Sequence, residues 1–163
     1  MTINLNNKNK MNIFIVIFTV ISLLITSYIF YNSFQKIDKS LERSDKVVEK
    51  IQPVIDPEEK IEKEDMSEYT RKAAHVIEFA MLGISIGIVF ACVFGKTKRL
   101  FISLPLLLSM SVGVADEFIQ SFRDRTSCLK DVLIDFSGAC GGLLLVAVAI
   151  FIYSFIRKRK IKC

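Results

Sequence analysis

The sequence predicts an all-α protein, a polytopic membrane bundle of four transmembrane helices with an outer amphipathic segment. Three observations lead there. Hydrophobic residues make up 52% of the 163 residues and mean hydropathy is +0.42, both high beside a charged fraction of 24%. The charges are segregated from the apolar residues, which form runs of about 18 to 25, long enough to cross a hydrocarbon core of roughly 30 Å as a helix. The basic residues gather before the first run, between the second and third, and after the fourth.

The chain divides on this basis into a cytoplasmic N-terminus, 1–12, and a first transmembrane helix, 13–31. A secretory signal is the competing reading of that helix, given Lys8 and Lys10 ahead of it. Its apolar run exceeds the usual h-region of roughly 7 to 15 residues, and no A-x-A-like site follows, so it reads as a retained anchor. An extracytoplasmic segment, 32–70, comes next. In it Ile37, Leu41, Val47, Val48 and Ile51 fit a helical stripe that would rest on the membrane surface or the rim of the bundle. Gln52-Pro53 should end this helix, and Asp56-Pro57-Glu58-Glu59 carries the signature of a new helix start.

Residues 71–156 form a core with three further spans, about Ala73 to Phe94, Leu100 to Ile119 and Val132 to Ile156. A basic cytoplasmic tail, 157–163, closes the chain. Pro105 lies near the start of its span, where a missing N–H costs least. Gly83 and Gly87, and likewise Gly138 and Gly142, are spaced to let a neighbouring helix approach closely.

Charge distribution orients these spans. Ten basic and no acidic residues fall in Lys8, Lys10, the Lys96/Lys98/Arg99 turn and the stretch from Arg157 to Lys162. Short Lys/Arg-rich segments stay inside, so both termini are expected in the cytoplasm of a multi-pass protein. Residues 32–72 hold nine basic and eleven acidic residues and belong outside. The net charge of +5 therefore reports topology and contact with anionic lipid, and nucleic acid is not an expected partner. Cys92, Cys128, Cys140 and Cys163 show no C-x-x-C spacing and read as free thiols or small apolar residues.

On that topology the polar residues within the spans converge. Arg71, His75 and Glu78 share a face of the second span, Asp116, Glu117 and Gln120 a face of the third, and Asp131 and Asp135 a face of the fourth. All lie at the outer ends, with Arg125 in the loop between the last two spans. A charged side chain facing lipid costs about 2.5–3.5 kcal/mol at mid-membrane, so the stripes should face inward and line one outward-open pocket. Blander readings apply to several members taken singly. His75 fits a wet helix end, Asp131 an N-cap, and Arg71 a snorkelling interfacial cation. An Asp116-Glu117 pair inside an apolar span has no such structural explanation.

These residues carry a resemblance. Arg71-Lys72, His75, Glu78-Phe79 and Leu82-Gly83, then Asp116, Glu117, Gln120 and Phe122, then Arg125, and finally Asp131, Val132, Asp135, Gly138 and Gly142 resemble the blocks of the VanZ-like family. Ser33, Ser40 and Ser44 ahead of Val47-Val48 are similar to that family's outer segment. One departure is Arg123-Asp124-Arg125, where the family loop often reads Pro-Gly-Arg. The resemblance implies a bacterial cell-membrane protein linked at the envelope to teicoplanin-type resistance.

Three function classes stay open. The first is a non-catalytic envelope protein whose pocket binds an envelope lipid, a cell-wall precursor or the lipoglycopeptide drug. The second is a membrane hydrolase or transferase acting on a lipid-linked substrate, for which His75 and the acids offer general acid–base groups or ligands for a hard divalent ion. No nucleophile block, phosphate-cradling loop or metal-ligand motif supports the enzyme, so no metal or cofactor is expected. The third, proton translocation, suffers from the absence of a polar path beyond Ser85, Ser103, Ser109 and Ser111 toward the inner side.

Overall fold

A computed structural model describes residues 5–35, 37–56, 61–99, 102–122 and 128–162. They form α1 (Leu5–Ser33), α2 (Ile37–Ile55), α3 (Lys63–Thr97), α4 (Ser103–Ser121) and α5 (Leu129–Lys162), with no strand among them. Helix α3 is the hub, packed most extensively on α5 and then on α1 and α2. At about 1.5 Å per residue its 35 residues extend roughly 52 Å, well beyond a hydrocarbon core. The helix therefore starts in polar sequence at Lys63, ahead of Arg71, and carries that residue and His75 on one rigid rod. It ends at Lys98, whose left-handed φ of 59° lets its N–H reach the Phe94 carbonyl at 2.8 Å.

Three of these helices, α1, α3 and α5, contain a stretch long and apolar enough to cross a membrane among the described residues. This is fewer than the four spans the sequence predicts. Helix α4 falls short because Asp116, Glu117 and Gln120 offset the apolar residues of a helix only 19 residues long. Apolar residues are distributed as in a membrane protein. A small core of Ile29, Phe79, Leu82, Ile86 and Ala139 is buried, while Leu24, Leu144 and Phe151 are 64–70% exposed on the bundle surface. Inside, Ser22 on α1 donates to Ser85 on α3 at 2.9 Å, and Ser85 donates to its own helix at the Leu82 carbonyl.

The α3–α5 interface is close enough to be specified by glycine. A Cβ at Gly142 would stand 2.1 Å from the Ala80 carbonyl oxygen, one at Gly138 2.5 Å from that of Val76, and one at Gly83 2.1 Å from that of Ala139. No side chain fits at these positions, so the two backbones touch, as the small-residue spacing implies.

Helix α2 departs from its sequence reading in two ways. Its buried line is Ser44, Val48 and Gln52, continued by Asp56, whereas Leu41 and Val47 are exposed. The expected stripe is thus split: Val48 faces the bundle beside small polar groups, while Leu41 and Val47 face away. The helix also passes Pro53 to Ile55, with the Asp56 N–H closing a last turn on the Gln52 carbonyl at 2.8 Å. Asp56 does not cap α3, which begins after Glu62; it accepts instead from the Ile61 N–H at 2.7 Å. Residues 57–60 lie outside the described residues. Cys92, Cys128 and Cys140 are free thiols, and Cys163 lies outside the described residues.

Candidate functional site

Four helices meet with polar residues at one end of the bundle. On α3, Arg71, His75 and Glu78 follow one another at helical spacing, and on α5 Asp131 and Asp135 do the same. The glycine contacts at Val76 and Ala80 hold α5 against α3 just beyond His75, and this is why Asp135 arrives beside the imidazole. Helix α4 ends here with Asp116 and Gln120, and α1 ends here with Asn32 and Ser33.

His75 lies at the centre. Its Nδ1 stands 3.8 Å from Asp116 Oδ2 and 3.9 Å from Asp135 Oδ1. The ligand-capable atoms of these three residues all fall within 4.8 Å of one another. Asp116 is fully buried and Asp135 nearly so, and the imidazole is 19% exposed. Asp116 is held from two more sides. Ser33 donates to its Oδ1, and the Gln120 amide donates to its Oδ2 at 2.7 Å.

The remaining predicted residues divide into two groups. Glu117, buried at 5% exposure, accepts the Cys128 backbone N–H on Oε1 at 2.7 Å. It lines a cavity of about 20 Å³ with Arg71, His75, Gln120, Asp131 and Asp135. Glu78 sits outside that cavity, with Oε1 accepting from the Asn32 amide at 2.9 Å. It opens on a second cleft of about 200 Å³ between α1, α2 and α3, whose polar lining includes Arg43, Arg71, Ser40, Ser44 and Thr70. Arg71 and His75 line both spaces. Arg125 and Arg123 lie outside the described residues.

Sequence reasoning passed over Asn32 and Arg43, and placed Ser33 only within the outer segment. The available signal was position: Asn32 and Ser33 terminate the first apolar run at the depth where the other polar stripes begin.

The VanZ/LLP1 family model matches residues 18–153, from the middle of α1 to the last turns of α5. The chain belongs to the VanZ/LLP1 family. Comparison with curated proteins and with solved structures gives no match. The matched range takes in both cavities of this VanZ/LLP1 protein, so the polar end of the bundle lies inside the family's common region.

Proposed function

We propose that this VanZ/LLP1 protein acts at the outer face of a bacterial cell membrane, where its polar end binds the phosphate-bearing headgroup of an envelope lipid or lipid-linked cell-wall precursor. Through that binding it contributes to teicoplanin-type resistance or envelope homeostasis. The cleft between α1, α2 and α3 carries the reading: two arginines and several hydroxyls around about 200 Å³ suit a phosphate group. In this arrangement α4 is a fourth crossing. Its 19 residues extend roughly 28 Å, near the hydrocarbon thickness, and its acids are sheltered in the bundle. Lys96 at the end of α3 reaches Asn12 near the start of α1 at 2.6 Å, so both lie at the end opposite His75. The Lys/Arg-rich segments there support a cytoplasmic position for that end and both termini.

A second reading, a membrane hydrolase or transferase on the same headgroup, is favoured by the position of His75, which lines the cleft and also faces Asp116 and Asp135.

The test is binding of anionic lipids and a lipid-linked precursor to the purified protein, beside teicoplanin susceptibility of cells carrying wild type, His75→Ala, Asp116→Asn or Glu117→Gln at equal membrane levels. Headgroup binding and a phenotype lost in the variants support the proposal. No binding to any anionic headgroup overturns it, and product formation lost in His75→Ala selects the enzyme.

A further inference from the structure

The cleft between α1, α2 and α3 is lined by charges of both signs that do not pair with one another. Arg43 comes from α2, and Arg71 and Glu78 come from α3. No ion pair joins either arginine to Glu78 among the described residues. The Asn32 side chain stands between Arg43 and Glu78. Its amide donates to Glu78 Oε1 at 2.9 Å, and its carbonyl oxygen accepts from Arg43 at 3.4 Å. Guanidinium and carboxylate are thereby held one amide group apart beside a single space of about 200 Å³.

Glu78 is short of donors. Its second oxygen, Oε2, is buried with no hydrogen-bond partner among the described residues. A buried carboxylate oxygen is costly unless a donor or an opposite charge approaches it. The two arginines suit a phosphate, but a phosphate alone would set a second negative charge beside Glu78, and like charges disfavour one another. An anion bound in this cleft therefore needs a positive group of its own on the Glu78 side.

Resting on the headgroup reading above, we propose that the cleft takes a membrane lipid whose phosphate carries a short primary-amine arm, the phosphate lying on Arg43 and Arg71 and the ammonium on Glu78. Glu78 then selects among phosphate-bearing headgroups by the charged N–H it can accept. A glycerol phosphate offers it only neutral hydroxyls, and a choline phosphate brings the charge with no N–H.

The test reads selectivity as well as binding. Full-length protein in detergent is titrated with phosphatidylethanolamine, phosphatidylglycerol and phosphatidylcholine of identical acyl chains, and bound lipid is resolved by native mass spectrometry. Phosphatidylethanolamine is expected to bind about tenfold more tightly than either of the others, the scale of one charge-assisted hydrogen bond. Glu78→Gln, a near-isosteric change, should abolish this preference, with phosphatidylglycerol gaining because the repulsion on its phosphate is gone. Free O-phosphoethanolamine, the soluble source of the same chemistry, should displace the lipid. Equal binding of the three lipids to the wild type overturns the inference and leaves the phosphate reading standing, whereas no bound lipid at all overturns both. A monodisperse Glu78→Gln protein that keeps the full preference overturns the inference too. Binding of the free ester without the lipid overturns the assignment to a membrane lipid. Should the variant fail to fold, the wild-type comparison of the three lipids still decides.

Discussion

Ser33, the last residue of α1, donates its hydroxyl to the carboxylate of Asp116 on α4, and both side chains are fully buried. The two lie 83 residues apart and join the first helix to the acid at the centre of the site. Removing the hydroxyl strips a buried carboxylate of one donor, a loss of about 1.5–3 kcal/mol for a charge-assisted bond. Ser33→Ala should therefore lower the melting temperature in detergent by several degrees. An unchanged melting curve would mean that this contact does not hold α1 to α4.

Neighbouring glycines on α5 should behave oppositely. A Cβ at Gly142 meets the Ala80 carbonyl at 2.1 Å, whereas one at Gly141 meets nothing within 4 Å. Gly142→Ala must push α3 and α5 apart, costing about 1–3 kcal/mol or more as overpacking does. Gly141→Ala should be neutral or slightly stabilising, since alanine favours helix by up to about 1 kcal/mol. Size-exclusion profiles and melting temperatures of the pair check this, and equal behaviour would contradict the close α3–α5 contact.

Arg43 donates to Asn32 at 3.4 Å from an exposed position on α2 and lines the cleft with Arg71. If the cleft holds a phosphate, Arg43→Ala should weaken headgroup binding by about tenfold, near 1.4 kcal/mol. The difference should shrink as salt is raised. Binding to nanodiscs containing anionic lipid, measured at two ionic strengths, gives the answer, and stability should change little.

The Glu42–Lys46 pair on α2 serves as a control. Lys46 donates to Glu42 at 2.7 Å and holds that carboxyl below its ordinary value, but both groups are exposed to water. A depressed carboxylate contributes stability above its unfolded value and loses it as pH falls through the folded one. Solvent screening leaves little of this for an exposed pair. Lys46→Ala should leave the melting temperature unchanged at neutral pH, and a shift of several degrees would give α2 a larger role than its exposure indicates.

The sequence by itself determined an all-helical, membrane-type chain and the end at which its polar residues gather. Segregated charge and long apolar runs require lipid-crossing helices, and spacing assigns Arg71, His75 and Glu78, or Asp131 and Asp135, to one face each. It also marked Gly138 and Gly142 as points of close approach, which they are. Only the tertiary structure decided which groups meet. Periodicity fixes an angle on one helix, but not the rotation or depth of that helix against its neighbours. Those follow from the backbone contact of α3 with α5, which sets Asp135 beside His75, and from α1, whose end brings Ser33 to Asp116 and Asn32 to Glu78. The same freedom let α2 turn Ser44, Val48 and Gln52 inward and leave Leu41 and Val47 exposed, because α3 offers the inner face a surface.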